Sequence, residues 1–167
     1  ICLFDRGQLA DELTADRVQV DVCGKKQGLD MRAVRRARGL LKKWPNAVLH
    51  THNATAHYHA VLASIGLPLL RIISTRHGMS KAAGGGRGEW LYRLAMPLTD
   101  YTVAVCEAAR ERFASNGVRP RIRLLSIPNG IRLDGFASAR LEAREALVSE
   151  LGMPAGTRIV GTVGRLQ

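Results

Sequence analysis

The sequence predicts an α/β fold in which a doubly wound, mostly parallel sheet carries helices on both faces. Short β-rich runs alternate along the 167 residues with longer segments of helical periodicity. Most of the short runs are continuously apolar, as expected for strands that are buried on both faces of a parallel sheet. The predicted strands cover residues 1–4, 18–22, 47–51, 69–74, 101–105, 122–127 and 159–163.

The segments between these strands predict helices, and the first of them has the clearest pattern. Its apolar residues recur at helical spacing, and Asp30 stands at the N-cap position. Gly117 and Gly152 lie just past the ends of two later helices, where a left-handed residue is common. The predicted helices cover residues 30–44, 54–65, 89–98, 107–116 and 138–151.

The amino-acid composition indicates which class of protein this is and which kinds of partner it could bind. The hydrophobic fraction of 46% is ordinary for a globular domain, and no apolar run reaches the roughly 18 residues of a spanning helix. Three scattered cysteines favour free thiols in a reducing compartment, which predicts a cytoplasmic protein. The net charge of +11 indicates either a polyanionic partner or a solvated basic surface.

The two ends of the chain suggest that it is part of a longer protein. Residue 1 lies inside an apolar run, and the last ten residues resemble a strand that leads into a Gly–Arg loop. Because a lone strand cannot bury both of its faces, we expect further chain after it. We therefore predict one domain over residues 1–152, followed by a linker and the first strand of a second domain over 153–167.

The histidines do not predict a metal site. We expect His50 and His52 to point to opposite faces of their strand, and His57 and His59 to diverge on the following helix. His77 is different, because it follows a buried strand and precedes Gly78, which lets a ligand approach closely. Its imidazole is suited to hydrogen-bond a sugar hydroxyl or a phosphate oxygen.

A glycine-rich segment over residues 84–88 has two interpretations. Its backbone N–H groups could hold a phosphate at the start of the next helix, but it matches neither G-x-G-x-x-G nor the P-loop pattern. Glu89 at that helix start would also repel an anion. A loop that opens and closes over a substrate is the favoured interpretation.

Much of the basic excess falls on one loop and on the first long predicted helix. Such a surface is suited to an anionic membrane, where each cation contributes roughly 1 kcal/mol. Nucleic acid is a weaker alternative, because aromatic residues make up only 5% of the chain. The residues of this basic surface are Lys25, Lys26, Arg32, Arg35, Arg36, Arg38, Lys42 and Lys43.

Five short segments at the predicted strand ends, taken in order, resemble the acceptor-side domain of family 4 glycosyltransferases. They are His50-Thr51-His52-Asn53-Ala54, Ser74-Thr75-Arg76-His77-Gly78, residues 99–106, Ile127-Pro128-Asn129-Gly130-Ile131 and Val163-Gly164-Arg165-Leu166. The resemblance covers nearly the whole chain and implies a Rossmann-like domain, the N-terminal half of a two-domain GT-B fold. It also implies a retaining enzyme that uses a nucleotide-diphosphate sugar and no metal cofactor.

The resemblance implies roles for individual residues. His77 would project into the cleft near the transferring sugar as a catalytic residue. Asn53, Gly78, Asn129 and Gly130 would bind substrate. Arg165 would contact the donor diphosphate, for which a forked, permanently charged guanidinium is suited.

Three departures from the family pattern are visible. The family's first strand with its glycine-rich loop is absent, Cys106 replaces a small residue, and the donor domain with its lysine and E-x7-E carboxylates is missing. We expect the full-length protein to transfer a hexose to a glycan or lipid-linked acceptor in cell-envelope polysaccharide or lipopolysaccharide synthesis, at the inner membrane face. The fragment alone should be inactive. The alternatives are a basic membrane-binding module without chemistry and another GT-B enzyme such as a nucleotide-sugar epimerase.

Overall fold

The computed structural model describes residues 1–77, 86–130, 140–154 and 156–160, in which parallel strands alternate with helices. The predicted α/β class, with parallel strands flanked by helices, is confirmed. The strands are β1 (Cys2–Leu3), β2 (Asp21–Val22), β3 (Val48–His52), β4 (Arg71–Arg76), β5 (Tyr101–Ala104) and β6 (Arg123–Ser126). The helices are α1 (Gln8–Ala15), α2 (Met31–Leu41), α3 (Ala54–Ser64), α4 (Arg87–Ala95), α5 (Glu107–Ser115) and α6 (Arg140–Glu150), with a 3₁₀ turn at Met96–Leu98.

The described strands form two parallel sheets. The smaller pairs β1 with β2, and the larger has the order β3-β4-β5-β6. In the larger sheet His52 lies opposite Thr75, which in turn lies opposite Val103. Parallel pairing in sequence order brings the carboxyl ends of β3 to β6 to one edge of this sheet.

Three elements differ from the sequence-based predictions. Helix α1 was not predicted, although Leu9 and Leu13 have the i, i+4 spacing that could have indicated it. Helix α4 begins at Arg87 rather than Glu89 and stops at Ala95, since Pro97 cannot donate the backbone hydrogen bond of a continuing helix. The predicted strand 159–163 is not formed at residues 159 and 160, which have no regular structure, and residues 161–163 lie outside the described residues.

The predicted helix caps are confirmed. Asp30 Oδ1 accepts hydrogen bonds from the backbone N–H groups of Arg32 (2.8 Å) and Ala33 (3.3 Å), which helix α2 cannot satisfy itself. Gly117 and Gly152 follow α5 and α6 with φ of 76° and 62°, the left-handed conformation that glycine adopts without a Cβ penalty.

Helices α3, α4 and α5 pack on one face of the larger sheet. The main apolar cluster consists of Tyr92, Met96, Ala104, Ala109, Phe113 and Val118. The Tyr92 hydroxyl lies 3.0 Å from Ser74 Oγ on β4, so this large side chain satisfies its polar end while it is buried. A second cluster joins Tyr58 and Val61 of α3 to Ala95 of α4.

A buried ion pair links the end of β4 to the first turn of α4. Arg76 Nη1 lies 2.8 Å from Glu89 Oε1, and the two side chains are only 7% and 13% exposed. The Arg76 guanidinium also lies over two aromatic rings, 4.8 Å from the centroid of Tyr92 and 4.6 Å from that of Phe113. Glu89, expected to repel an anion at the helix start, therefore has a buried cation as its partner.

A buried histidine links α3 to the sheet. His57 is fully buried, with Nδ1 2.8 Å from Thr51 Oγ1 and Nε2 2.7 Å from Thr99 Oγ1. Burial lowers the pKa of His57 to about 4, because the charged imidazolium would lose its hydration.

The chain forms two compact units, Ile1–Asn129 and Gly130–Gln167. The predicted domain boundary between residues 152 and 153 stays a prediction. Among the helices of the described residues, none has the length and apolar character needed to cross a membrane.

Loss of the Glu89 carboxylate should destabilise the protein strongly. Glu89→Ala leaves the buried Arg76 cation without a counter-ion, so we expect the free energy of unfolding to fall by about 3–5 kcal/mol in urea denaturation. The double variant Arg76→Met/Glu89→Leu should recover much of this loss. Glu107→Ala is the matched control, because it breaks the exposed Arg110–Glu107 pair and should change stability little. Equal effects of the two single substitutions would contradict this account.

The buried His57 should make the fold sensitive to acid. Its pKa is depressed below the reference value of 6.5, so the unfolded chain takes up a proton that the folded chain excludes as pH falls from 6.5 towards 4. This removes about 3 kcal/mol of stability over that interval, and nothing above pH 7. His57→Gln should lose this part of the pH dependence in denaturant titrations between pH 7 and 4. An unchanged slope in the variant would show that His57 is not the group responsible.

Candidate functional site

Three histidines lie side by side at the carboxyl ends of β3 and β4. His52 is the last residue of β3, and His77 directly follows β4. His52 Nδ1 lies 2.7 Å from His77 Nε2, and the two rings are nearly parallel with centroids 5.0 Å apart. The ring of His50 lies 4.6 Å from that of His52. We call His50, His52 and His77 the histidine row.

The expectation that His50 and His52 point to opposite faces was wrong. Side chains alternate along a strand, so residues two apart share a face. The cross-strand hydrogen bond of the row confirms this placement, because His50 Nε2 lies 2.9 Å from Thr75 Oγ1 on β4. The period of two residues, applied to the predicted strand, could have brought His52 into the candidate site.

Partial burial keeps the strand-borne imidazoles of the row neutral near pH 7. Desolvation lowers the pKa of His50, and the neighbouring His77 lowers it further. Desolvation also lowers the pKa of His52, with additional effects from His50 and His77. All three rings remain exposed enough to meet a ligand. Neutral imidazoles can each donate one hydrogen bond and accept another, which suits recognition of hydroxyl groups.

The other two histidines are structural. His57 joins Thr51 to Thr99, and His59 Nε2 accepts a hydrogen bond of 3.1 Å from the backbone N–H of Asp30. His59 Nδ1 donates to the Thr55 carbonyl oxygen at 2.8 Å. Within the described part of the chain, no group of three His, Cys, Asp or Glu side chains is arranged to hold a metal ion.

Asn53 occupies a strained position beside the row. It has φ of 68° and ψ of 158°, a combination that is rare for any residue except glycine. Its backbone N–H donates to the Thr75 carbonyl oxygen at 2.9 Å, and its own carbonyl accepts from His57 at 3.1 Å. Although Asn53 is the N-cap of α3, its side chain makes no capping hydrogen bond. Strain of this kind concentrates at functional sites, and the exposed amide is available to a ligand.

The remaining predicted site residues are placed only in part. Asn129 and Gly130 are exposed beyond the end of β6, and they belong to different compact units. Gly78 and Arg165 lie outside the described residues, as do residues 84 and 85 of the glycine-rich segment. Cys106 is exposed at the N-cap of α5, after the carboxyl end of β5. The assigned roles of all these residues stay predictions.

The basic surface on α2 divides into two kinds of residue. Arg36 donates to the Cys23 carbonyl oxygen at 2.8 Å, and Arg38 donates to the carbonyl oxygens of Ala63 (2.9 Å) and Ile65 (2.7 Å). These two therefore tie α2 to its neighbours. Lys25 is half-buried, with its ammonium group 5.5 Å from the Phe4 ring centroid. The other exposed cations are Lys26, Arg32, Arg35, Lys42 and Lys43.

Exposed apolar side chains accompany these cations at both ends of α2. Leu29 and Met31 are 45% and 50% exposed at its start, and Trp44 is 58% exposed just after its end. Cations interspersed with exposed apolar and aromatic groups are typical of surfaces that bind a membrane interface.

Comparisons with known proteins agree with the fold. The chain is similar to a glycosyltransferase from Rickettsia africae ESF-5, whose crystal structure it matches with a TM-score of 0.67 at 18% sequence identity. That match covers 90% of this chain and 40% of the other, so the chain spans less than half the length of this relative. No curated protein sequence matches the chain.

A comparison with protein families identifies the family of the chain as well as its fold. The sequence pattern described as Glycosyltransferase Family 4 matches residues 1–134, which is most of the 167 residues and includes β1 to β6 with the histidine row. The chain therefore belongs to Glycosyltransferase Family 4.

Proposed function

We propose that the full-length protein transfers a hexose from a nucleotide-diphosphate sugar to a glycan or lipid-linked acceptor, with retention of configuration, and that this chain supplies the acceptor side. The observation that supports the proposal most strongly is the histidine row beside the strained Asn53, at the carboxyl edge of a parallel sheet. Ligands of open α/β sheets bind beyond this edge.

In the proposed reaction, this chain orients the substrate and forms hydrogen bonds with it. In the transfer, the bond from the anomeric carbon to the diphosphate oxygen breaks, and a bond to the acceptor oxygen forms. The acceptor proton leaves with the diphosphate. His77 and Asn53 would orient sugar hydroxyls by hydrogen bonds, and holding reacting atoms in place lowers the entropic part of the barrier.

The departing diphosphate requires positive charge. In this proposal Arg165, with cations of the donor domain, supplies it through charge-assisted hydrogen bonds, without a metal cofactor. The proposal also assigns substrate binding to Asn129, Gly130 and Gly78, as the family resemblance implies.

We further propose that the α2 surface attaches the protein to the anionic inner face of a cell membrane, in cell-envelope polysaccharide or lipopolysaccharide synthesis. The exposed cations and the accompanying Leu29, Met31 and Trp44 support this assignment. Membrane attachment would bring a lipid-linked acceptor to the sheet edge.

Removal of the His77 imidazole should impair transfer. We expect His77→Ala in the full-length protein to lower kcat by about 10²-fold, the scale on which loss of substrate orientation slows a reaction. The measurement is release of nucleoside diphosphate and formation of glycosylated product with a panel of nucleotide sugars. Thermal unfolding should change little, because the ring is exposed. Activity close to wild type in a folded variant would count against the proposal.

Removal of two lysines at the end of α2 should weaken membrane binding. Lys42→Gln/Lys43→Gln loses two cations worth roughly 1 kcal/mol each, so binding to vesicles that contain anionic phospholipid should fall by about 30-fold at low salt. Arg119→Gln/Arg123→Gln is the matched control, since it removes the same charge from exposed positions outside α2. Equal losses in the two variants would indicate a general charge effect rather than this surface.

A further inference from the structure

His52 occupies the centre of the histidine row and contacts both of its neighbours. Its ring is nearly parallel to that of His77, with an interplanar angle of 20°, and the ring of His50 lies 4.6 Å from it. The bond from His52 Nδ1 to His77 Nε2, at 2.7 Å, is short for a hydrogen bond between nitrogen atoms. This hydrogen bond, made between nearly parallel rings, restricts the rotation of the His77 ring.

The backbone holds His52 more firmly than it holds His77. His52 belongs to β3 and pairs with Thr75 in the parallel ladder, and the next residue donates its N–H to the Thr75 carbonyl oxygen at 2.9 Å. His77 lies one residue beyond β4, where ladder hydrogen bonds end. A rigid strand residue thus supports a side chain on the segment that follows a strand.

The tautomers of the two rings decide the direction of this bond. The environments of His50 and His52 favour neutral rings, as described above, and a neutral His52 can accept a hydrogen bond at Nδ1. The groups that face His52 are the imidazoles of His50 and His77, the Thr75 hydroxyl bonded to His50, and the adjacent Asn53. His77 can therefore donate its Nε2 hydrogen to His52.

We propose that His52 is a positioning residue for His77: it accepts the Nε2–H hydrogen bond of His77 and so directs the His77 Nδ1 atom towards a sugar hydroxyl. This inference rests on the proposed function for the role of His77. A His77 ring that carries its hydrogen at Nε2 alone presents an Nδ1 lone pair, which accepts a hydrogen bond from that hydroxyl. His50 supports the arrangement by packing behind His52 and by its own bond to Thr75.

Variants at position 52 separate hydrogen bonding from packing. His52→Phe keeps an aromatic ring in the row but lacks the acceptor atom. His52→Asn places an amide oxygen close to the former Nδ1 position and restores the acceptor. We expect His52→Phe to lower kcat of the full-length protein by about 10–100-fold with little change in KM, the effect of a misplaced catalytic group. His52→Asn should recover most of that loss. The melting temperatures of the variants should not rank in the same order as their kcat values.

A double-variant cycle tests whether His52 acts through His77. If it does, His52→Phe/His77→Ala should be no slower than His77→Ala alone. Losses that multiply would overturn the proposal, because they would give His52 an independent contact with substrate. Full activity of His52→Phe would also overturn it.

A spectroscopic measurement tests the bond without any activity. Imidazole ¹⁵N–¹H correlation spectra of the 167-residue chain report which nitrogen of each histidine carries hydrogen. We expect His77 to be the Nε2–H tautomer in the wild-type chain and in His52→Asn, and a mixture in His52→Phe. An Nδ1–H tautomer of His77 in the wild-type chain would overturn the proposal. If His77→Ala is fully active while the expected tautomers are seen, the proposed function fails but the hydrogen bond stands.

Discussion

Parallel pairing between β3 and β4 is the constraint on which the rest of this structure depends. The ladder sets His52 opposite Thr75, and so it places the last residue of one strand beside the first residue after the other. Because side chains two apart share a face, the same register also brings His50 next to His52 and within reach of Thr75. A slip of β3 by one residue would turn His50 and His52 to the other face of the sheet, away from His77, and dismantle the histidine row.

The two faces of the β3–β4 pair carry different kinds of side chain. On the face covered by α3, α4 and α5, buried polar links hold the helices: His57 bridges Thr51 and Thr99, and Arg76 pairs with Glu89. Each link is satisfied inside the protein, which buried polar groups require. On the other face, the histidine row keeps exposed ring edges. Buried structural side chains and exposed side chains thus alternate residue by residue along β3 and β4, and the strained Asn53 follows directly after β3.

Much of the fold could be predicted from the sequence, and less of the site could. Strands β3 to β6 and the Asp30 cap could be predicted, because apolar runs and cap residues are local features of the sequence. His77 and Asn53 were identified by their position after strands and by family resemblance. The place of His52 beside His77 was missed through a wrong assignment of strand faces, which the period of two residues could have corrected. The Arg76–Glu89 pair and the partners of His57 depend on which helix packs on which strand, and no local pattern contains that information.

The most direct test of this account is a crystal structure of the full-length protein with a nucleotide-sugar analogue and an acceptor sugar bound. The account predicts a sugar hydroxyl at about 2.6–3.2 Å from His77 Nδ1, with His77 Nε2 still bonded to His52. It also predicts that the ligand lies beyond the carboxyl ends of β3 and β4, beside Asn53. A sugar bound elsewhere, with His77 free of both contacts, would contradict the central claim.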